Sequence, residues 1–338
     1  MPTLDTLPLQ GKKNLLAFSA GVDSSALFFL LLEEEIPFDI AIVDYSIREE
    51  SKAEVAHAMQ LAQHYHKTCY HTQAPQFTTH FEANARTFRY HFFEQIITTH
   101  HYDILLTAHQ LNDQLEWLLM RLSKGAGLSE LLGLERITQQ KNYTLFRPLL
   151  EYSKEELLHY LKENNYPYFI DKSNLDSTYE RNRFRHAFSD PLLAEFKEGI
   201  KRSFCYLKAD KKRVESTFET LFEKEALHII WLKEKSAKVK ATDLALKKEG
   251  YLLSASQRRE IEKEESLVIG GKWAIVRENH LLYIAPYVTQ PMPKKFKELC
   301  RCYQIPKKIR PYLYQTEIEI KQLSALKEIT PSHGEAFV

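Results

Sequence analysis

With 338 residues, 44% of them hydrophobic and only 10 Gly and 13 Pro, the chain exceeds one ordinary domain and can bury a substantial core, so two or three domains are expected. No stretch approaches the roughly 18 uncharged apolar residues of a membrane-spanning helix, and the start, MPTLDTLPLQGKK, has no apolar core followed by a small-residue cleavage site. A cytoplasmic protein with no membrane partner is expected. The net charge of +1 does not mark a nucleic-acid binder, but basic residues cluster at Arg181 to His186, Lys201 to Arg213 and Lys294 to Arg310, where they can follow a phosphate backbone.

In chain order, short apolar runs alternate with longer helical patterns over the first 110 residues, the signature of a parallel sheet with crossover helices. Strands are predicted at Asn14 to Ser19, Ile40 to Asp44, Thr68 to Thr72 and Ile104 to Ala108, with helices at about Ser24 to Glu35, Glu49 to His66 and Phe81 to His100. In an open parallel sheet the ligand crevice lies outside the carboxyl ends of the strands. A site is therefore expected around Ser19, Asp44 and Ala108 to Asp113. Ser153, followed three residues later by Glu156, is a capping box before an amphipathic helix. A helical stretch is expected from Pro191 to about Glu225, followed by Lys- and Glu-rich helices. The segment SLVIGGKWAIVRENHLLYIAP reads as two strands joined at a Gly-Gly or Glu-Asn-His turn, and Pro286 to Pro293 as a linker. The expected domains are 1–190, an α/β domain; 191–288, a mainly helical connecting domain ending in a β-hairpin; and a small 289–338 domain.

Cys69, Cys205, Cys300 and Cys302 are too scattered for a disulfide framework and form no Cys-x-x-Cys pair. His64 with His66, and the pair His100 and His101, lack partners at metal-ligand spacing and read as surface residues.

The segment Phe18-Ser19-Ala20-Gly21-Val22-Asp23-Ser24-Ser25 lies between a predicted strand and helix, where exposed N–H groups and the helix dipole favour an anion. Small residues at Ser19, Ala20 and Gly21 let the backbone approach a phosphate, and Ser24 and Ser25 can donate hydroxyls. The Gly-Lys-Ser/Thr ending of a Walker loop is missing. Instead the segment resembles the Ser-Gly-Gly-x-Asp-Ser loop of PP-loop enzymes, which split ATP into AMP and pyrophosphate, with Ala20 where that pattern usually has Gly. The substitution keeps the loop provided the position needs no positive φ. Asp23 would repel phosphate unless a cation lay between them, and Mg2+ is the natural mediator.

Further motifs narrow the resemblance. Ala85-Arg86-Thr87-Phe88-Arg89-Tyr90 resembles the Ala-Arg-x-x-Arg-Tyr of tRNA(Ile)-lysidine synthetases, and His109-Gln110-Leu111-Asn112-Asp113-Gln114-Leu115-Glu116 their His-x-x-x-Asp-Gln-x-Glu. Lys124 to Leu128, Arg147 to Leu150, Asp171-Lys172-Ser173-Asn174 and Tyr179 to His186 continue the series to about residue 190, and Pro306 to Arg310 resembles the Pro-x-x-x-Arg of the family's last domain, here shortened. The resemblance implies an α/β fold, a Rossmann-like parallel-sheet PP-loop domain followed by a helical or α+β C-terminal region. It also implies a reaction. The O2 of the wobble cytidine of tRNA(Ile) with a CAU anticodon attacks the α-phosphate of ATP, and the ε-amine of free L-lysine then displaces AMP at C2.

Carried onto this sequence, the resemblance implies ATP contacts from Ser19, Ala20, Gly21, Val22, Asp23 and Ser24, and Mg2+ held by Asp23 and Asp113. Arg86 is expected on the ATP phosphates, its guanidinium offering a bidentate fork. His109 is expected to act on a phosphate or the base. Glu116, one helical turn from Asp113, is the candidate partner of the lysine ammonium. Arg147, Arg181, Asn182, Arg183 and Arg185 are expected to contact the tRNA backbone or close the site. The alternatives are a PP-loop tRNA thiolase, which would carry sulfur on cysteines or an iron–sulfur cluster, another PP-loop adenylating enzyme such as an amidating synthetase, and a tRNA-binding module with a dead nucleotide site. A homodimer is compatible with the sequence but not fixed by it.

Overall fold

The computed structural model describes residues 2–45, 49–77, 79, 81–170 and 180–324. The chain divides into two compact units, Met1–Lys208 and Ala209–Val338, whereas composition suggests boundaries near 190 and 288. Two features account for the difference. One helix runs unbroken in sequence from Asp190 to Glu215, with a kink at Phe196, and the segment beyond Pro286 packs on the same sheet as the hairpin before it.

In the first unit the strands are β1 (Asn14–Ala17), β2 (Phe38–Asp44), β3 (Cys69–Gln73), β4 (Ile104–Leu106), β5 (Ile137–Gln139) and β6 (Thr144–Phe146). They form one sheet in the order β3-β2-β1-β4-β6-β5. The pairs β2–β3, β1–β2, β1–β4 and β4–β6 are parallel, and β5 lies antiparallel on β6. The helices are α1 (Val22–Glu33), α2 (Glu49–His64), α3 (Phe81–His100), α4 (Leu111–Leu122), α5 (Leu128–Leu131), α6 (Lys154–Glu163), α7 (Glu180–Phe184), a π-helical turn at Arg185–Ser189, and α8 (Asp190–Glu215).

Alternate side chains of each strand enter opposite faces. Leu16, Ile40, Ile42 and Leu106 pack with Phe28 and Leu31 of α1, Leu61 of α2 and Leu157 and Leu161 of α6. Leu15, Ala41 and Leu105 pack on the other face with Phe93, Ile96 and Ile97 of α3. Burial on both faces explains why the central strands read as continuous apolar runs. At about 1.5–3 kcal/mol per fully buried large apolar side chain, these two layers dominate the stability of the unit.

In the second unit five strands, β7 (Phe218–Lys224), β8 (Leu227–Leu232), β9 (Ser266–Ile269), β10 (Trp273–Glu278) and β11 (Leu281–Pro286), form an antiparallel sheet in the order β7-β8-β11-β10-β9. One face packs on α9 (Lys238–Lys248) and α10 (Ala255–Lys263). The other packs on α11 (Lys294–Cys302), α12 (Arg310–Thr316) and α13 (Ile320–Ser324). The helix expected to reach Glu225 ends at Glu215, and Phe218–Lys224 is a strand. SLVIGGKWAIVRENHLLYIAP forms three strands rather than two because both turn signals are used: Gly270 and Gly271 have φ of 57° and 66°, and Asn279 has φ of 54°. Arg310, from the Pro-x-x-x-Arg segment, turns inward and its Nε donates to the Ile305 carbonyl at 2.8 Å. Among the described residues no helix is long and apolar enough to cross a membrane.

Candidate nucleotide site

The order β2-β1-β4 places a topological switch point between β1 and β4, since α1, which follows β1, packs on one face and α3, which leads into β4, on the other, and such a point leaves a crevice at the carboxyl ends of the strands. The segments that leave those ends are Phe18–Gly21 and Thr107–Gln110. Gly21 is the N-cap of α1 and supplies no side-chain cap, so the first-turn N–H groups are left for an anion. Ser24 Oγ accepts from the Ser19 N–H at 3.2 Å and lies 3.1 Å from Ser19 Oγ. Ser25 Oγ donates to the Ala20 carbonyl at 3.2 Å, which also accepts from the Phe169 N–H at 2.8 Å. The bend is thereby held from both sides. Ala20 is fully buried with φ of 59°, so the position does need the left-handed conformation that favours glycine, whereas Gly21 keeps a negative φ of −74°.

A cavity of about 170 Å³ opens over this bend. Its lining includes Ser19, Asp23, Ser24, Arg89, Tyr90, Thr107, His109 and Asp113. Oδ1 of Asp23 is buried and has no hydrogen-bond partner among the described residues. Burial, and then the neighbouring Asp113, push its carboxyl up to about 7. A carboxylate without a partner in such a place is costly. A hard cation with oxygen ligands would relieve the cost, so the donor set suits Mg2+ completed by phosphate oxygens and water.

Asp113 reaches the same cavity but is engaged. It is the third residue of α4, where Oδ2 accepts from the Gln110 N–H at 2.9 Å in a capping box, while Oδ1 accepts from Arg181. Burial alone would raise its pKa; Arg181, His109 and the Gln110 N–H outweigh that and hold it below the usual carboxylate range. Among the described residues no three His, Cys, Asp or Glu side chains converge on a metal; Asp23 and Asp113 are the two carboxylates in the described lining of the cavity. His109 Nδ1 lies 3.0 Å from Thr107 Oγ1, and burial holds the ring well below the ordinary histidine range. It is therefore a neutral hydrogen-bonding group rather than a fixed cation.

The remaining expected residues divide. Glu116 is fully buried and accepts from Arg181 Nε at 2.7 Å and Arg185 Nε at 2.6 Å. Two guanidiniums expected on tRNA thus pin α7 and the π turn to α4, and Glu116, expected on lysine, is their anchor. Arg147 is 6% exposed, with Nη1 donating to the Glu135 carbonyl at 2.7 Å and Thr138 Oγ1 at 3.1 Å. Arg183 is exposed and Asn182 half-buried. Asp171 to Asn174 and Tyr179 lie outside the described residues. Arg86 lines a groove beside the cavity, its guanidinium 4.9 Å from the centre of the Tyr90 ring. Arg89, one turn along α3, lines the cavity itself. Sequence reasoning passes over Arg89 although it is the second arginine of the quoted Ala-Arg-x-x-Arg-Tyr run. It also misses Lys154, the first residue of α6, whose charge acts on Asp23.

A small-residue bend under a cavity with a buried acid, at the switch point of a β3-β2-β1-β4 sheet, defines a PP-loop nucleotide-binding domain, and residues 4–192 match the PP-loop domain family. The solved U34-tRNA thiolase NcsA from Methanococcus maripaludis is similar in fold, with a TM-score of 0.51 at 18% identity over 61% of this chain and 74% of that one. Likeness over the whole chain is more specific. A tRNA(Ile)-lysidine synthase of Campylobacter jejuni (strain RM1221) is 46% identical over 94% of this chain and 97% of its own length. That of Helicobacter hepaticus is 44% identical over 88% of this chain and 80% of its own. The chain belongs to the tRNA(Ile)-lysidine synthase family.

Proposed function

We propose that this chain ligates free L-lysine to C2 of the wobble cytidine in the CAU anticodon of tRNA(Ile), using ATP. The observation that carries the reading is the buried Asp23 Oδ1, without a hydrogen-bond partner among the described residues, beside the small-residue bend, in a chain 46% identical to a tRNA(Ile)-lysidine synthase over 94% of its length. In the first step the cytidine O2 attacks the α-phosphorus, the bond to the bridging oxygen breaks, and pyrophosphate leaves. In the second the ε-amine attacks C2, the C2–O bond breaks, AMP leaves and the amine gives up a proton.

The bend Ser19–Ser24 holds the phosphates through backbone N–H groups, and Arg89 supplies a guanidinium toward the negative charge that gathers on phosphorus. Asp23, with Asp113, would hold Mg2+, which when bound neutralises phosphate charge. Neutral His109 offers a hydrogen bond to the base or a phosphate without adding a charge. The cytidine must leave the anticodon stack to reach the cavity, and the exposed Arg183 of α7 and Arg202 of α8 can meet the RNA backbone. No cysteine lines the cavity, which weighs against sulfur transfer.

The test incubates the protein with ATP, labelled lysine and tRNA(Ile) bearing a CAU anticodon. The expected result is label on the RNA with one AMP released per lysine joined. RNA modified only with a sulfur donor present, or AMP formed from a small acid without RNA, would replace this reading.

A further inference from the structure

We propose that Tyr45, at the carboxyl end of β2, is a positioning residue that aims Arg89 into the nucleotide cavity. The proposal rests on the reading of Arg89 as the guanidinium that meets the charge on phosphorus, and it names what holds that side chain in place. Tyr45 follows Asp44, the last residue of β2, and is half-buried. It lies along one stripe of α3, formed by Phe81, Ala85 and Arg89, which stand one helical turn apart and share a face. The Tyr45 ring meets the Phe81 ring edge-on, with centroids 6.2 Å apart. One turn further along, its hydroxyl donates to the Ala85 carbonyl at 3.4 Å.

The next turn of that stripe is Arg89. A helical side chain leans back over the turn before its own Cα, so the stem of Arg89 passes over Ala85, where the hydroxyl sits. Having donated to Ala85, the hydroxyl still has lone pairs to offer, and the Arg89 guanidinium donates to it. The same side chain lines the cavity with Ser19, Asp23, Ser24 and His109, and its charge acts on His109. Arg89 therefore reaches from the end of β2 to the cavity, with Tyr45 as its fixed point.

The chemistry of the partner matters. An untethered arginine gives up rotamer entropy when it engages a substrate, whereas a donor fixed beforehand needs no reorganisation as charge develops. Arg181 and Arg185 are fixed by the carboxylate of Glu116, which takes up part of their charge. Among the described residues Arg89 has no such carboxylate partner. A phenol fixes the side chain and leaves its whole charge for an anion. Burial pushes the Tyr45 phenol up from its ordinary value, against the opposing charge of Arg89, so it stays a neutral group.

The test follows pyrophosphate release in single turnovers, with the intact protein in excess over tRNA(Ile) and ATP varied, for the wild type, Tyr45→Phe, Arg89→Ala and the double variant. Tyr45→Phe keeps the ring against Phe81 and removes only the hydroxyl. Its rate constant at saturating ATP should fall about ten- to a hundredfold, the worth of one hydrogen bond to a charged group. The ATP concentration for half-maximal rate and the melting temperature should stay nearly unchanged, since the lost contact serves the transition state. In the Arg89→Ala background the same substitution should change nothing further, because its effect runs through Arg89. Equal losses in the two backgrounds, no loss at all, or a loss matched by a fall in melting temperature would overturn the proposal. Arg89→Ala releasing pyrophosphate at the wild-type rate would overturn it too, by removing the role given to Arg89. A wild type that releases no pyrophosphate with ATP and tRNA would instead overturn the proposed function itself.

Discussion

Ala20 is held with φ of 59° and no exposed surface. The left-handed conformation costs an L-residue about 1–2 kcal/mol, but glycine there would lose a buried methyl worth about 0.8 kcal/mol and carry a further 0.5–1 kcal/mol or so of unfolded-chain entropy. The terms nearly cancel, so Ala20→Gly should change stability by less than about 1 kcal/mol. Ala20→Val should cost about 2 kcal/mol or more, because a branched side chain suits neither the conformation nor the space; equilibrium denaturation separates the two cases. Asp23→Asn removes a negative charge whose buried Oδ1 has no hydrogen-bond partner among the described residues, so the ligand-free variant should melt at a higher temperature while tRNA-dependent pyrophosphate release is lost and tRNA binding is largely kept. Loss of RNA binding alone would contradict the role given to Asp23. At this scale the sequence is partly legible. The bend and Asp23 stand in one contiguous pattern, whereas Arg181 meets Glu116 from 65 residues away and Arg185 from 69, a pairing that no local spacing announces.

Among the elements, α3 is readable to both ends, Phe81–His100, because its apolar positions recur at helical spacing. β5 and β6 are not, being three residues each, too short for alternation to register. β7 reads as the tail of a helix because its Glu- and Lys-rich sequence, FETLFEK, buries little on an edge strand. The tie between α4 and α7 depends on Glu116, whose side chain is 1% exposed, so Glu116→Gln should destabilise the first unit by on the order of 3 kcal/mol by removing the buried charge that Arg181 and Arg185 share, although Arg181 keeps Asp113; a thermal melt that does not move would show the tie to be dispensable. In the second unit Glu265, just ahead of β9, pairs with Arg277 of β10 at 2.5 Å. The Arg277 hydrogen bond, helped by Lys235, holds the Glu265 carboxyl down at about 2. A depressed folded pKa gives stability that is present above the ordinary carboxylate pKa of about 4.3 and lost as pH falls toward the folded value. Glu265→Gln should therefore flatten stability between about pH 4.5 and 2 and leave that acid limb otherwise unchanged, the effect being small because both side chains are partly exposed to solvent.

On the scale of the whole molecule, the α/β unit Met1–Lys208 and the antiparallel-sheet unit Ala209–Val338 share a chain that resembles tRNA(Ile)-lysidine synthases along nearly its full length. The parallel sheet is legible because each of its central strands is buried on both faces and bounded by helical periodicity. The second sheet is barely signalled, since antiparallel pairing among non-adjacent strands such as β8 and β11 leaves no local mark. The proposed reaction requires the crevice between β1 and β4 to be where the nucleotide is held. A crystal structure with a non-hydrolysable ATP analogue and Mg2+ tests this most directly. The triphosphate should lie against the N–H groups of Ala20 to Ser24, with the ion on Asp23 and Arg89 turned toward the phosphates. An analogue bound at full occupancy elsewhere, with that bend unchanged and Asp23 still unpartnered, would contradict it.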